Sequence, residues 1–253
     1  MGTCWIEQAE SDLPADNEWL SALEFAKFNT LRVPKRRADW RLGRWTAKQA
    51  VAGVLGISAD QASLRRIVIH PADTGEPLVH VFGFHNPITI SLSHRDGRAL
   101  CVVALGAISL GCDLELSEPK SDAFISDYFT LEEQELVASV PPFAQSLAAS
   151  LVWSAKESAL KALHVGLRVD TRSVAVDRVI QKDIGRSDGT WRPMLAHCAD
   201  QVDFHGWWRY EDGVIRTVMS DVLLDPPVQV LQSSSSAALR QEDPSNIKSR
   251  TTI

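Results

Sequence analysis

Alternation of apolar and polar residues predicts several short strands along the chain. The clearest pattern runs from Ile108 to Leu116, where every second residue is apolar and Gly111, Asp113 and Glu115 face the other way. Weaker strand patterns occur at Arg66–His70, Ile88–Ser93, Ala99–Leu105, Ser173–Val176, Gly206–Tyr210, Val214–Met219 and Asp221–Leu224.

Helical patterns lie between these strands. A helix is predicted to begin at Pro34, because proline suits the first helical turn, and Gly53 and Gly56 would weaken or stop it. Helical periodicity returns at residues 130–139 and 146–164. The mixture of short strands and helices predicts a protein that contains both sheet and helix.

The chain divides into three parts. A boundary near Gly106 would separate an N-terminal half, residues 1–106, from a C-terminal half, residues 107–232. The remaining residues, 233–253, are polar and rich in serine without periodicity, so we expect this tail to be disordered. No internal repeat is visible in the sequence.

Composition narrows the class of protein. With 253 residues, 45% hydrophobic and 23% charged, the chain has the balance of a globular protein and not of a disordered one. No apolar run reaches the length of a membrane span, and acids follow the first residues too soon for a secretory signal. We therefore expect a cytoplasmic protein. The four cysteines lack CxxC spacing, so neither a disulfide framework nor a zinc site is expected.

The net charge of −6 argues against non-specific nucleic-acid binding by the whole surface. One segment is basic despite this overall negative charge. Residues 32–48 hold seven basic side chains and a single acid, Asp39. On a helix, four of them would form one positive stripe: Arg37, Arg41, Arg44 and Lys48. An alternative interpretation is a DNA-binding helix-turn-helix over Trp40–Ser58, although it leaves the acidic residues further along the chain unexplained.

Two groups of acids are candidates for metal binding. Asp113 and Glu115 would project side by side from one strand face, and like charges this close repel unless a cation lies between them. Oxygen ligands suit magnesium, while the alternative is a solvated strand face. Glu157 and Lys161 are four residues apart on a predicted helix, so they form either a surface ion pair or a metal ligand beside a phosphate-binding lysine.

Two further residues have both a structural and a functional interpretation. His94 ends a predicted strand beside a turn, where it could either be structural or reach a ligand. Thr130 and Glu133 have the spacing of a capping box, and this role alone suffices to explain Glu133. Together, three carboxylates, a flanking lysine and a basic stripe suit a polyphosphate held by magnesium.

In this order, these residues resemble the 4′-phosphopantetheinyl transferases of the large, surfactin-synthetase-associated type. The matching segments are Lys35-Arg-Arg-Ala-Asp-Trp-Arg-Leu-Gly-Arg44, Gly75-Glu-Pro77, Ser91-Leu-Ser-His94, Gly111-Cys-Asp-Leu-Glu115, Phe129-Thr-x-x-Glu133 and Trp153-Ser-Ala-Lys156-Glu157 with Lys161. The resemblance implies an α+β fold, a pseudo-dimer of two similar halves, each a small antiparallel sheet packed with helices. It also implies an active site between the halves.

The resemblance implies an enzyme of the holo-[acyl-carrier-protein] synthase type. It would transfer the 4′-phosphopantetheine arm of coenzyme A to a serine of an apo acyl or peptidyl carrier protein and release adenosine 3′,5′-bisphosphate. Its cofactor would be Mg²⁺, for which Mn²⁺ could substitute. No nucleic acid or membrane partner is expected, and an internal pseudo-dimer predicts a monomer. Carriers of fatty acid, polyketide, nonribosomal peptide and lysine biosynthesis all remain open.

The same resemblance assigns individual roles. Asp113, Glu115 and Glu157 would hold the metal, and Glu157, or a water that it orients, would take the serine proton. Lys161 would neutralise phosphate charge. The remaining coenzyme A contacts would come from Arg37, Arg44, Ser93, His94 and Lys156, although the helical angle of Lys156 points away from Glu157. The family's Gly-x-Pro turn often has a basic middle residue, and this chain has Glu76 there, so no phosphate contact is expected from it.

Overall fold

The computed structural model describes residues 1–165, 168–177, 182–184, 186–198 and 202–230. The predicted tail, 233–253, lies outside the described residues. The helices are α1 (Ala22–Thr30), α2 (Pro34–Leu55), α3 (Gln61–Arg65), α4 (Asp122–Tyr128), α5 (Leu131–Ser139) and α6 (Gln145–Ala162). The strands are β1 (Thr3–Ala9), β2 (Ile67–Pro71), β3 (Pro77–Val81), β4 (Ile88–Arg95), β5 (Arg98–Leu105), β6 (Leu110–Leu116), β7 (Val174–Val176), β8 (Arg192–Cys198), β9 (Asp203–Glu211), β10 (Val214–Ser220) and β11 (Val228–Gln229).

The long helix α2 begins and ends where the sequence predicts. Pro34 is its first residue, because a missing N–H costs nothing in the first turn. Gly56 ends it in the left-handed conformation, with φ of 64°. The helix runs without interruption through most of Trp40–Ser58, so a helix-turn-helix in this segment is wrong. In the described part of the chain, no helix is both long and apolar enough to cross a membrane.

The strands form two sheets with the same internal order. The first sheet is ordered β11-β1-β5-β4-β3-β2 and the second β6-β10-β9-β8-β7. Apart from the parallel pair β1–β11, neighbouring strands are antiparallel. We define the first half as β1–β5 with α1–α3, and the second half as β6–β10 with α4–α6. The prediction of an α+β pseudo-dimer is confirmed, whereas the boundary near Gly106 stays a prediction.

Strand register gives a residue-by-residue equivalence between the halves. An Asp-Gly turn, Asp96-Gly97 in the first half and Asp212-Gly213 in the second, joins the last two strands, and all four residues have positive φ. Cys101 and Thr217 each lie four residues after the turn glycine and are therefore equivalent. Cys101 pairs with Ile6, and Thr217 pairs with Asp113. Ile6 and Asp113 therefore occupy equivalent positions.

A buried lysine–glutamate pair recurs in both halves. Lys48 of α2 is fully buried, with its Nζ 2.6 Å from Glu24 Oε2. The same Nζ donates to the carbonyls of Trp19 and Leu64. Glu24 also caps the start of α1 and accepts a hydrogen bond from the backbone N–H of Ile69. This pair ties α2 to α1 and to β2.

The second half repeats this arrangement. Lys156 of α6 is fully buried, with its Nζ 2.7 Å from Glu133 Oε2, and it donates to the carbonyls of Thr171 and Val174. Glu133 caps α5 as predicted and accepts from the N–H of Val176. Each glutamate thus closes a capping box and also neutralises a buried lysine.

These pairs reveal an internal repeat that the sequence pattern alone does not show. Equivalence of Lys48 with Lys156 aligns Trp45-Thr-Ala-Lys48-Gln49 with Trp153-Ser-Ala-Lys156-Glu157. The match is too short to stand out in a sequence of this length, and only the shared contacts establish it.

Strands β1 and β5 of the first sheet pack against strands β6 and β10 of the second. The apolar residues between them come from both halves and include Trp5, Leu100, Val102, Leu110, Cys112, Leu114, Val214 and Val218. On one side of this contact, β4 lies along β6, and Ser91 Oγ accepts a hydrogen bond from the N–H of Cys112. This packing fixes β4 beside the acidic strand.

The segment after β10 returns to the first half. The predicted strand Asp221–Leu224 is wrong, because Asp221 bonds Ser109 and the carbonyl of Leu224 accepts from the Trp207 indole. Residues 228–230 instead lie beside β1, and Val230 N–H donates to the Trp5 carbonyl at 2.8 Å. The Val230 side chain fills the space over Gly53, where a Cβ would lie 2.2 Å from Val230 Cγ1. We call residues 228–230 the returning segment.

Candidate functional site

The three predicted metal-binding acids lie together. Asp113 and Glu115 are on β6 and are only 2% and 7% exposed, and Glu157 approaches them from α6. One oxygen from each of the three carboxylates lies within 4.8 Å of the others. Helix α6 crosses β6 so closely that a Cβ at Gly111 would lie 1.8 Å from the Ser158 carbonyl oxygen. Glycine at position 111 is therefore what lets the helix bring Glu157 to the strand.

Lys161 lies at one end of this cluster. Its Nζ donates to Asp113 Oδ1 at 2.7 Å, to the Cys112 carbonyl at 3.0 Å and to Ser93 Oγ at 3.1 Å. Burial raises the pKa of Asp113, but the Lys161 ammonium and the Ser93 hydroxyl outweigh burial, so the pKa is lowered. Asp113 is thereby held as a carboxylate, and Lys161 links the acids to β4 of the first half.

The other two acids are less well neutralised. Burial and the nearby Asp113 charge raise the pKa of Glu157 to about 8. The same causes raise the pKa of Glu115, although Lys120 and Arg95 oppose them. Glu115 Oε2 is buried without a hydrogen-bond partner in the described structure. Three carboxylates this close require a shared proton or a cation, and an all-oxygen donor set fits magnesium.

A cleft of about 810 Å³ opens beside the cluster, between the two halves. Its basic wall comes from α2, and its far wall from the residues that follow α6. The charged, hydroxyl-bearing and histidine side chains of the lining are Lys35, Arg36, Asp39, Arg44, Thr74, Glu76, Ser91, Ser93, His94, Lys161, His164 and Arg168. Arg44 lies with its guanidinium 5.0 Å above the Trp40 ring, and its Nε is buried without a partner in the described structure. That orphaned donor is a natural contact for an anion.

His94 and Ser93 connect the cleft to the acids. His94 is half exposed at the end of β4, with its Nε2 4.0 Å from Asp39 Oδ2. Its pKa is lowered by partial burial, against the attraction of Asp39. Ser93 Oγ donates to Asp113 Oδ1 at 2.8 Å. The two residues therefore lie where the cleft meets the acidic cluster.

The structure does not bring Arg37 to the cleft. Its guanidinium stacks 3.6 Å above the Phe28 ring and donates to backbone carbonyls at the end of α1. Arg41 bonds Asn17 and the carbonyls of Pro14 and Asp16, and Lys48 is buried. Three of the four residues of the predicted positive stripe are thus used in packing the first half, and of the four Arg44 alone lines the cleft.

Lys156 also lies away from the cleft. It is enclosed in the pair with Glu133, so we correct the expectation that it contacts coenzyme A. Glu133 is likewise absent from the acidic cluster among the described residues. Because a glutamine at position 133 could close the capping box but could not neutralise Lys156, the glutamate is needed for more than capping.

Some site residues were missed by the sequence analysis. Ser154 Oγ donates to Asp113 Oδ2 at 2.9 Å, and the serine of the Trp-Ser-x-Lys-Glu motif could have signalled this. His164 lines the cleft with φ of 58° and lies 4.0 Å from Glu76. Arg168 donates to the Thr74 carbonyl across the cleft. Nothing in the sequence pattern pointed to the last two contacts, since they depend on how the halves meet.

Comparison with known proteins gives a consistent result. Residues 109–206 match the sequence profile of the 4′-phosphopantetheinyl transferase superfamily. The 4′-phosphopantetheinyl transferase HetI of Nostoc sp. is 28% identical over 164 residues, covering 64% of this chain and 67% of that protein. The holo-[acyl-carrier-protein] synthase of Streptococcus agalactiae is 31% identical over 86 residues, covering 34% of this chain and 72% of that protein.

Among solved structures, the holo-[acyl-carrier-protein] synthase of Thermotoga maritima is 24% identical to the chain, with a TM-score of 0.34. The similarity covers 51% of this chain and 74% of that chain.

Proposed function

The chain belongs to the 4′-phosphopantetheinyl transferase superfamily, and we propose that it transfers the 4′-phosphopantetheine arm of coenzyme A to a serine of an apo acyl or peptidyl carrier protein. It would thus be an enzyme of the holo-[acyl-carrier-protein] synthase type, with adenosine 3′,5′-bisphosphate as the second product. The observation that carries the proposal is that a basic cleft wall from the first half adjoins three carboxylates of the second. Lys161 and Ser93 line the cleft and also contact Asp113.

We further propose that Asp113, Glu115 and Glu157 hold Mg²⁺, or Mn²⁺ in its place. The support is their close grouping, the buried and unpartnered Glu115 Oε2, and the all-oxygen donor set. When bound, such an ion would neutralise charge on the pyrophosphate of coenzyme A. The raised pKa of Glu157 is consistent with this role, because the carboxylate needs a cation nearby to stay charged at neutral pH.

Side chains of the cleft would hold coenzyme A. The buried and unpartnered Nε of Arg44 supports a contact with the 3′-phosphate, with His94 and Ser93 beside it. Lys161 would face the pyrophosphate and neutralise the charge that develops on the leaving group, since it already lies between the cleft and Asp113. The cleft would thereby orient the phosphorus that bears the pantetheine arm.

The transfer itself exchanges one P–O bond for another. The carrier serine Oγ would bond to the phosphorus that bears the arm, while the bond from that phosphorus to adenosine bisphosphate breaks. Glu157, or a water that it orients, would accept the serine proton. A site assembled from two halves of one chain needs no second subunit, so we propose a monomer. We also propose that the enzyme works in the cytoplasm.

The test is incubation of the protein with coenzyme A, Mg²⁺ and a panel of apo carriers, followed by mass spectrometry. We expect the mass gain of the phosphopantetheine arm on serine, and no gain on a carrier with that serine changed to alanine. Chelation of the metal should abolish transfer without unfolding the protein, which circular dichroism would check. Full turnover in excess chelator would refute the three-carboxylate site, and no transfer to any carrier class would refute the function.

A further inference from the structure

Glu115 has two cationic neighbours that the proposed reaction does not use. Arg95 Nη1 and Lys120 Nζ each lie 3.9 Å from Glu115 Oε2. At this distance both attract the carboxylate, yet Oε2 accepts no hydrogen bond in the described structure. The oxygen is therefore electrostatically stabilised but still free to bind something else.

The position of Arg95 follows from the packing of β4 against β6. Ser91, Ser93 and Arg95 alternate along β4, and they meet Cys112, Asp113 and Glu115 in turn. Lys161 contacts Asp113 at one end of the cluster, and Arg95 contacts Glu115 at the other. The acidic cluster thus lies between two cations supplied by different elements.

Arg95 is itself held by an acid. Its Nη2 donates to Glu118 Oε2 at 2.7 Å, whereas its distance to Glu115 is longer. Lys120 is largely covered, with 13% of its side chain exposed, and its Nζ lies 5.5 Å from the Phe124 ring centre. Arg95 is therefore held near Glu115 by a partner of its own, Glu118, and Lys120 is held there by the packing that covers its side chain.

We propose that Arg95 and Lys120 form a cationic bracket that positions Glu115 and lowers the affinity of the acidic cluster for a divalent cation. This inference rests on the proposed metal site and makes Arg95 a positioning residue rather than a catalytic one. The bracket compensates Glu115 when no ion is bound. A divalent ion must then compete with two fixed positive charges, which keeps its binding weak and reversible.

The test is direct binding of Mn²⁺, measured through the electron paramagnetic resonance signal of the free ion, with and without coenzyme A. Arg95→Gln removes the charge and keeps much of the size, so we expect Mn²⁺ to bind about three- to tenfold more tightly. Glu118→Gln should do the opposite and weaken binding about twofold, because it frees Arg95 to pair with Glu115. Opposite signs from two neighbouring changes would be hard to obtain from a loss of structure.

Two variants serve as controls. Arg95→Lys keeps the charge and should stay within about twofold of the natural protein. Arg98 follows the Asp96-Gly97 turn and pairs with Glu7, not with Glu115. Arg98→Gln therefore removes a nearby charge and should leave Mn²⁺ affinity unchanged. Unchanged or weaker binding in Arg95→Gln would overturn the bracket while leaving the proposed function intact. Absence of Mn²⁺ binding to the natural protein under both conditions would overturn the metal site and the bracket with it.

Discussion

Lys48 and Lys156 occupy the same place in the two halves, and each is neutralised by a glutamate that also caps a helix. The acids of the cluster have no such counterparts. Where the second half has Asp113, Glu115 and Glu157, the first half has Ile6, Gln8 and Gln49, and Gly53 stands in place of Lys161.

This difference separates two kinds of buried charge. The lysine–glutamate pair is present in both halves, so it belongs to the fold and would be retained with or without chemistry. The acidic cluster is present in the second half alone among the described residues, so the fold does not require it and we assign it to the proposed function. Motif positions that look alike in sequence, such as Glu133 and Glu157, can therefore have entirely different roles.

The sharpest test of this division makes the second half resemble the first. Glu157→Gln places glutamine where the first half has Gln49, and it removes the proposed metal ligand and proton acceptor while keeping the helix. Turnover should fall by about 10²- to 10⁴-fold, the scale of general base loss, with little change in melting temperature. Steady-state kinetics and thermal melts would measure both.

The matched control is Gln49→Glu, which puts an acid at the equivalent place in the first half. It should leave turnover unchanged, because the strand acids are missing there. If Gln49→Glu lost as much turnover as Glu157→Gln, the assignment of chemistry to the second half would be wrong.

The lysine–glutamate pairs should respond equally in the two halves. Glu24→Gln and Glu133→Gln each leave a fully buried lysine without its countercharge, so each should cost about 3–5 kcal/mol of unfolding free energy. Chemical denaturation would measure the loss.

A different outcome at Glu133 would contradict the structural assignment. If Glu133→Gln lost turnover at unchanged stability, Glu133 would act in catalysis and the equivalence with Glu24 would not extend to function.

Two arginines of α2 should differ in their effect on coenzyme A binding, and this effect is smaller than those above. Arg44 lines the cleft and Arg37 stacks on Phe28. Arg44→Gln should weaken coenzyme A binding about 10- to 100-fold, as expected for loss of a charge-assisted phosphate contact worth about 1.5–3 kcal/mol. Binding of 3′-dephospho-coenzyme A should change much less, and Arg37→Gln should affect neither ligand. Isothermal titration calorimetry with both ligands would show whether Arg44 reads the 3′-phosphate.

The smallest effect concerns His80 and His197, which occupy equivalent strand positions. Ile69 and Val176 donate to the equivalent glutamates, and the residue after the pairing partner of each is a histidine. His80 stacks on His70, whereas His197 lies between Asp203 and Asp177. The hydrogen bond to Asp203, aided by Asp177, raises the pKa of His197. Its charged form thus stabilises the fold below the unfolded pKa of about 6.5, and this contribution is lost as pH rises through the folded value.

Because His197 is exposed, the contribution should be under about 1 kcal/mol. Denaturation at pH 5.5 and 8.5 would measure it as a loss of stability at the higher pH. His197→Gln and Asp203→Asn should each reduce that difference, and an unchanged difference in both would show that the histidine does not contribute.

Sequence alone predicts which residues form the acidic cluster better than it predicts how the surrounding side chains pack. Alternation from Ile108 to Leu116 places Asp113 and Glu115 on one face, and this holds because strand geometry is local. The direction of Arg37 and Arg44 could not be predicted in the same way. Both are basic residues of one helix, and what separates them is the location of Phe28 and of the cleft, which depends on contacts between distant segments.

The role of Glu133 shows a second limit. Its capping spacing is local and visible in the sequence, but its partner Lys156 belongs to a different helix. The internal repeat is not visible in the sequence for a similar reason, because the two halves share their contacts but few identical residues. Strand β1 is as long as β6 but was not predicted, because its adjacent apolar residues Trp5 and Ile6 break the alternation. Strand β3 has only five residues, too few for a clear pattern.

The returning segment also has a consequence for synthesis on the ribosome. It pairs with Cys4 and Trp5 on the outer edge of β1, but it is made only after the whole second half. At a rate of about 5–20 residues per second, the first half waits roughly 6–25 seconds with that edge open. An uncovered strand edge can pair with other chains. During that interval this edge of the nascent first half is open to pairing with other chains, and a chaperone that binds it would protect the protein.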